Sequence, residues 1–240
     1  MLAYDGTAYA GWQIQRGPAT IQGVLTAAVQ TLCGPESRVT GASRTDAGVH
    51  ALRQTASIRT TSTLAAGQVM AALNATLPRD IRVLDAADTA RAFDARRSAL
   101  GKRYVYLIDN ARVPLPLLQR YAWHVPWPLD VRAMRAALAA LRGRHDFAAF
   151  CAAAGRDKTP ECIVRALHVV RRRDRVALWI SADRYLHHMV RTLVGSAVDV
   201  GRGARDPAWL GAVLDSRDRR RAGPTAPAHG LTLVRVLYPR

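Results

Sequence analysis

The chain has 240 residues, 49% of them apolar, enough for one large domain or two of ordinary size with a real core. Lys and Arg number 35 against 18 Asp and Glu, a net charge of +17, and only two of the 35 are lysine. No run of 18 apolar residues exists to cross a membrane, low-complexity tracts are absent, and the uncompensated positive charge points to a polyanion, most often nucleic acid. The three cysteines, Cys33, Cys151 and Cys162, show no CxxC spacing and fit small buried thiols in a reduced chain better than disulfides or a zinc site. The opening "MLAYDGTAYAGW" has no charged n-region and no apolar h-region, so no secretory signal is expected and a cytoplasmic location is.

In chain order, a short strand is expected at 2–4 and a helix over 20–32, with Thr20 as N-cap and Gly34 as its stop. Strands follow at 38–42 and 54–59, then a helix over 64–77 capped by Thr63 and stopped by Pro78, then a strand at 81–86. The second half opens with "KRYVYLID", a strand rich in aromatic and β-branched residues. Asp130 caps a helix whose Val131, Met134, Leu138 and Leu141 share one face. "IVRALHVVRR" and "RVALWISA" read as a hairpin around Arg173 and Asp174. Leu186, Met189, Val190, Leu193, Val194, Ala197 and Val198 form the stripe of a second helix, and "GLTLVRVLY" is the last strand. Each half thus reads β-α-β-β-α-β, the split βαβ pattern. The expected fold class is α+β, with two related ferredoxin-like halves, 1–97 and 98–240, whose antiparallel sheets join around a central cleft.

The stretch "GASRTDAGVHAL" (41–52) carries one acid, Asp46, at a loop tip before Gly48. An Asx turn is the ordinary use of such an acid. Arg44, two residues away, has the fork geometry to hold the carboxylate ionised and oriented, and Thr45 and His50 add polar capacity around it. His50 is read as shaping the loop by hydrogen bonding, and Asp5-Gly6 as a turn rather than a second catalytic acid. The second half supplies an aromatic, Tyr104, on a basic strand, with Tyr106 on the same face as support. His187 and His188 would point about 100° apart on a helix and have no further ligand at metal spacing, so no metal is expected. The five tryptophans are scattered and read as packing.

"YDGTAYAGWQ", "GASRTDAGVHA", "KRYVY", "HHMVRTLVG" and "AHGLTLV", in this order and at compatible spacing, resemble the tRNA pseudouridine synthase A family across nearly the whole chain. The resemblance implies the pseudouridine synthase fold and an isomerase acting on uridines 38, 39 and 40 of the tRNA anticodon stem-loop. It implies a homodimer that uses no cofactor and no metal. It places Asp46 at the catalytic aspartate and Arg44 at the arginine paired with it. Tyr104 matches the tyrosine that packs on the target base, Arg191 an arginine near the acid, and Leu231 an apolar lining residue. Position 43 is serine where the family commonly has glycine; a positive φ there would cost about 1 kcal/mol, a negative φ nothing.

The chemistry agrees with a single acid. Glycoside hydrolases use two carboxylates because a leaving group is protonated and water is brought in. An isomerase that breaks N1–C1′, turns the uracil and joins C5 to C1′ loses nothing and admits no water, so one carboxylate suffices, whether it attacks C1′ or takes the C2′ proton. The base must leave the stack, at roughly a few kcal/mol. Arginine clusters at 96–103, 171–175 and 217–221 are candidates for phosphate contact, each with a solvated face or turn as the ordinary alternative. A non-catalytic RNA-binding protein suits the charge and the halves, but the aromatic content is 6% and an acid facing phosphates weakens binding. A nucleoside hydrolase would want several acids or a metal.

Overall fold

The computed structural model describes residues 1–152 and 159–239. In chain order the strands and α-helices are β1 (Leu2–Tyr4), α1 (Ile21–Cys33), β2 (Arg38–Gly41), β3 (His50–Gln54), β4 (Ala56–Arg59), α2 (Ala66–Thr76) and β5 (Ile81–Val83). There follow β6 (Gly101–Asp109), β7 (Trp123–His124), α3 (Val131–Ala139), β8 (Gly143–Asp146), β9 (Glu161–Arg172), β10 (Arg175–Ala182), α4 (Met189–Gly201), α5 (Trp209–Ser216) and β11 (Leu231–Leu237). The fold class is α+β. No helix among the described residues is long and apolar enough to cross a membrane. The chain forms two compact units, Met1–Leu100 with Thr232–Arg240, and Gly101–Leu231.

In the first unit the sheet order is β5-β1-β3-β11. β1 is antiparallel to both β5 and β3, and β11 runs parallel to β3 with Thr232 opposite His50. Chain order had put the last strand with the second half; its ladder to β3 puts it with the first. β2 and β4 form a separate antiparallel ribbon. The strand expected over 54–59 is β4, and β3, which ends at Gln54 and lies in the other sheet, was not anticipated. The break between them is made by Gln54, which has no exposed surface and whose Oε1 accepts from the N–H of Thr55 (3.2 Å) and of Ser43 (3.2 Å), turning the chain out of one sheet and into the other.

α1 buries Ile21, Leu25, Val29 and Cys33, one residue per turn, and Thr20 Oγ1 caps it by accepting from Gly23 N–H (3.2 Å). Gly34, at φ 98°, ends it. α2 starts later than expected and is not capped by Thr63. Gln68 Oε1 instead reaches back to the Ala65 N–H (3.0 Å), a glutamine doing from inside the helix what a threonine does from outside. Pro78 follows its C-terminal end, where Arg82 donates to the carbonyls of Leu77 (3.2 Å) and Pro78 (2.7 Å).

In the second unit β6, β10, β9 and β8 form an antiparallel sheet, and β7 adds parallel to the end of β6. Tyr104, Tyr106 and Ile108 of β6 and Val176, Leu178 and Ile180 of β10 are buried, the alternation of a sheet covered on one face. α3 packs on β9 and on α4. α4 is buried nearly all round, with only Arg191 and Asp199 partly exposed, as a helix inside a core must be. The hairpin turns where expected, with Arg173 in the left-handed region (φ 51°). β8 and α5 were not anticipated. "GRHD" has no strand-forming side chain and pairs only because β9 offers it an edge, and "WLGAVLDS" is too short to show a period. Trp12 is packed as expected, but Trp127 and Trp179 are exposed.

The residues after β5 are tied down by Asp94. Its Oδ1 accepts from the N–H groups of Arg97 (2.8 Å) and Arg96 (2.9 Å), and these bonds, Arg97 first, hold its carboxyl below the usual range. Tyr238 closes the same segment by donating to Ala95 O (2.6 Å) and packing its ring, tilted by 55°, against Phe93. A carboxyl depressed by folding stabilises above its unfolded pKa and loses that contribution as pH falls through the folded one. Asp94→Asn should therefore cost roughly 1 kcal/mol at pH 7, as lost caps do. Urea denaturation at pH 7 and near pH 3 should show that gap closing in acid; an equal gap at both pH values would rule out the charge as its source.

Candidate active site

The Asp46 loop connects β2 to β3 and is built against residues 4–12. Trp12 N–H donates to Thr45 O (3.0 Å), Val49 N–H to Asp46 O (3.2 Å) and Gly48 N–H to Tyr9 O (3.3 Å). Thr45 is buried, its Oγ1 2.8 Å from the Tyr4 hydroxyl. Gln54 brackets Ser43 on both sides, accepting from its N–H and donating to its O (2.7 Å). A buried amide satisfied at both ends fixes its partner's position as well as its own. The positive-φ residues other than glycine among those described are Arg173, His188 and Arg217, so Ser43 carries no left-handed strain.

Glycines on the facing segment make room for this loop. A Cβ on Gly6 would run into Val49 O, and on the loop's own side one on Gly41, at the end of β2, would meet the Trp12 indole. Gly11, at φ 91°, would place a Cβ 2.6 Å from Thr45 O and 3.0 Å from Ala47 N. The "DGTAYAGW" run is thus a cradle for the Asp46 loop. Within it Asp5 makes the expected turn, its Oδ1 accepting from Thr7 N–H (3.0 Å) and Thr7 Oγ1 (2.6 Å). His50 is buried, and its Nδ1 accepts from Gly6 N–H (3.0 Å), with Asp5 Oδ1 3.2 Å from the same nitrogen. His50 fastens loop to cradle.

Asp46 is half-buried at the tip of this pinned loop. Arg44 is exposed, and among the described residues it forms no ion pair. The loop backbone is held by its own hydrogen bonds and by Gln54, Tyr4 and Trp12, which are distant in sequence, and the bonds just named reach the loop rather than the Asp46 carboxylate.

Tyr104, Arg191 and Leu231 lie in the second unit. Tyr104 is buried on β6 opposite Ile180, its ring edge-to-face with Tyr185 (5.1 Å, 85°). Tyr185 lies within hydrogen-bond reach of two carbonyls, Lys102 O and Ile180 O (3.1 Å each). Burial, and after it the neighbouring Tyr104, pushes its phenol well up. Arg191 is in the first turn of α4, its Nε donating to Ala226 O (2.8 Å) while Ala226 N–H donates to Arg191 O (3.1 Å). Leu231 is buried just after Gly230, where a Cβ would meet the Tyr106 ring at 2.5 Å. Tyr106 is core, as read, and its hydroxyl donates to Pro227 O (2.8 Å). His187 and His188 precede α4 rather than lie on it. His188 is left-handed (φ 61°), and the rings stack 3.9 Å apart instead of diverging.

The arginine clusters divide. Arg171 donates to Asn110 Oδ1 (2.7 Å) and Leu129 O (2.9 Å), Arg217 pairs with Asp146 (3.2 Å), and Arg219 binds the carbonyls of its own loop. These are structural contacts. Arg96, Arg97 and Arg103 are exposed.

The cradle makes a direct prediction. Gly11→Ala should destabilise by about 1–3 kcal/mol through φ strain and overlap with Thr45. Thermal unfolding checks it; a melting temperature unchanged from wild type would show that the cradle does not hold the loop.

Compared with known proteins, the chain matches the family model described as tRNA pseudouridine synthase over residues 1–96 and 137–239. It is 47% identical over 240 residues to the tRNA pseudouridine synthase A of Methylobacterium nodulans, covering 100% of this chain and 94% of that one. It is 44% identical to that of Myxococcus xanthus over 238 residues (99% and 90%), and 45% identical to that of Moorella thermoacetica over 240 residues (99% and 97%).

Proposed function

This chain belongs to the tRNA pseudouridine synthase family, isomerases that convert uridine to pseudouridine in tRNA, and on that premise we propose that Asp46 is its catalytic residue and that its targets are uridines 38, 39 and 40 of the anticodon stem-loop. The observation that carries the reading is the Asp46 loop itself, one acid held half-buried on a backbone bonded on both sides of it. Such fixing is what a carboxylate needs if it is to meet a sugar carbon in one geometry.

The bond changes balance without water. The N1–C1′ pair of electrons leaves with the uracil, the ring turns, C5 bonds to C1′, the C5 proton departs and N1 takes one up. Asp46 either bonds C1′ and is displaced by C5, or removes the C2′ proton and returns it. The target base leaves the stack to be reached. Tyr104 packs on it from a ring held by Tyr185, Leu231 adds an apolar wall, and Arg191 presents a guanidinium anchored through Nε. Arg44, exposed beside the acid, meets the RNA.

The test is tritium release from tRNA labelled with [5-³H]uridine. Wild type should release label and Asp46→Asn none, with tRNA affinity within a few-fold. A turning-over Asp46→Asn would remove the assignment, and tight salt-sensitive binding without release by wild type would favour the non-catalytic binder. Arg44→Lys should slow the reaction, because a point charge does not replace a guanidinium fork; a rate equal to wild type would remove Arg44 from the site.

The active species is a homodimer in this reading. Its support is a groove of about 910 Å³ on the second unit, with Leu107, Val170, Ala177 and Trp179 on an apolar side and Asp109, Arg172, Arg173, Asp174 and Arg175 as charged lining. Within the groove Val170 is 42% exposed and Leu115 44%. Sedimentation at micromolar concentration should give a dimer that Trp179→Glu dissociates; a wild-type monomer would overturn it.

A further inference from the structure

Residues 222–231 form a strap across the second unit, and nearly every one of them is held. Gly223 N–H donates to Ser196 Oγ (2.9 Å), and a Cβ on Gly195 would collide with Pro224 O. Ala226 and Arg191 exchange two hydrogen bonds, one of them from the Arg191 side chain. Tyr106 holds Pro227 by its hydroxyl and presses its ring on Gly230. The remaining tie is Arg219, whose Nη1 donates to Gly223 O (3.0 Å) and whose Nη2 donates to Thr225 Oγ1 (3.0 Å). One guanidinium thus bonds two residues of the strap immediately before the carbonyl that receives Arg191.

We propose that Arg219 is a positioning residue for the reaction, acting through the strap to orient the guanidinium of Arg191. This rests on the reading that Arg191 belongs to the site. The reasoning is geometric. Nε is the only guanidinium nitrogen with a single proton, so its bond to Ala226 O sets the direction of the Nε–H and restricts the swing of the rigid planar group that carries both terminal amino groups. Ala226 is held from its own N–H by Arg191 O and from the following residue by Tyr106 on Pro227, and the tie on its N-terminal side runs through Thr225, which Arg219 holds at 3.0 Å, with Thr192 Oγ1 at a longer 3.4 Å. Arg191, Thr192 and Ser196 lie on α4, so helix and strap share one hydrogen-bond set that Arg219 completes. Of the three arginines bonded in the 217–220 stretch, Arg217 and Arg220 pair with carboxylates, whereas Arg219 bonds neutral oxygens of the strap. It therefore supplies direction with little Coulombic attraction, and a charge-conserving change should not replace it.

The experiment is single-turnover pseudouridine formation alongside tRNA affinity and thermal unfolding, for Arg219→Gln, Arg219→Lys, Thr225→Val, Arg191→Lys and the Arg219→Gln/Arg191→Lys double variant. Arg219→Gln should slow the chemical step by about tenfold or more, Arg219→Lys by nearly as much, with tRNA affinity within about twofold. The double variant should be no slower than Arg191→Lys alone, because both changes spoil one guanidinium. Thr225→Val, which removes a single acceptor, should reproduce part of the loss and serves if Arg219→Gln does not fold. Arg219→Gln and Thr225→Val at wild-type rates, or losses that multiply in the double variant, would overturn the proposal. Arg191→Lys at the wild-type rate would instead remove Arg191 from the site, a different failure.

Discussion

A single buried amide sets the geometry on which the Asp46 loop depends. Gln54 has no exposed surface, and its three bonds to Ser43 and Thr55 perform two tasks at once. They separate β3 from β4 at Thr55, sending those strands to different sheets, and they hold the start of the loop that carries Asp46. A buried amide left unsatisfied costs about 1–3 kcal/mol, so the loop has little freedom to leave Gln54. Tyr4, Trp12 and the small residues of 6–11 extend the same constraint along the loop, and Ser43 fits it with ordinary backbone angles.

The strong positive charge of the chain resolves into two populations. Arg82, Arg171, Arg217 and Arg219 satisfy carbonyls or carboxylates of the fold, where the fork of a guanidinium reaches acceptors a lysine would miss. Arg44, Arg96, Arg97 and Arg103 face solvent. Composition registers only the sum. The same division explains why the strap of the second unit is rigid although it has little regular structure: its backbone acceptors meet Arg191, Arg219 and the Tyr106 hydroxyl, each from a different element.

Much of the fold was readable along the chain. The apolar stripes of α1, α3 and α4, the Thr20 and Asp130 caps, the Gly34 stop and the β9–β10 turn are all local features, and periodicity and capping residues report them because helix and turn geometry are set within a few residues. Asp46, Tyr104, Arg191 and Leu231 were likewise named from short motifs. What the motifs did not contain was the manner of their support. β8 exists because β9 has an edge, the split at Gln54 because Ser43 lies within reach, and the unit to which β11 belongs because β3 accepts its ladder.

The sequence alone therefore established the family's motifs, the helices, the charge and the identity of the candidate acid. Tertiary structure decided how that acid is held and which arginines are structural. The guanidinium two residues from Asp46 stands in solvent, while Tyr4, Trp12 and Gln54, from 8 to 42 positions away, hold the loop. A hydrogen bond depends on distance in space, and proximity along the chain predicts it only within a helix or a turn.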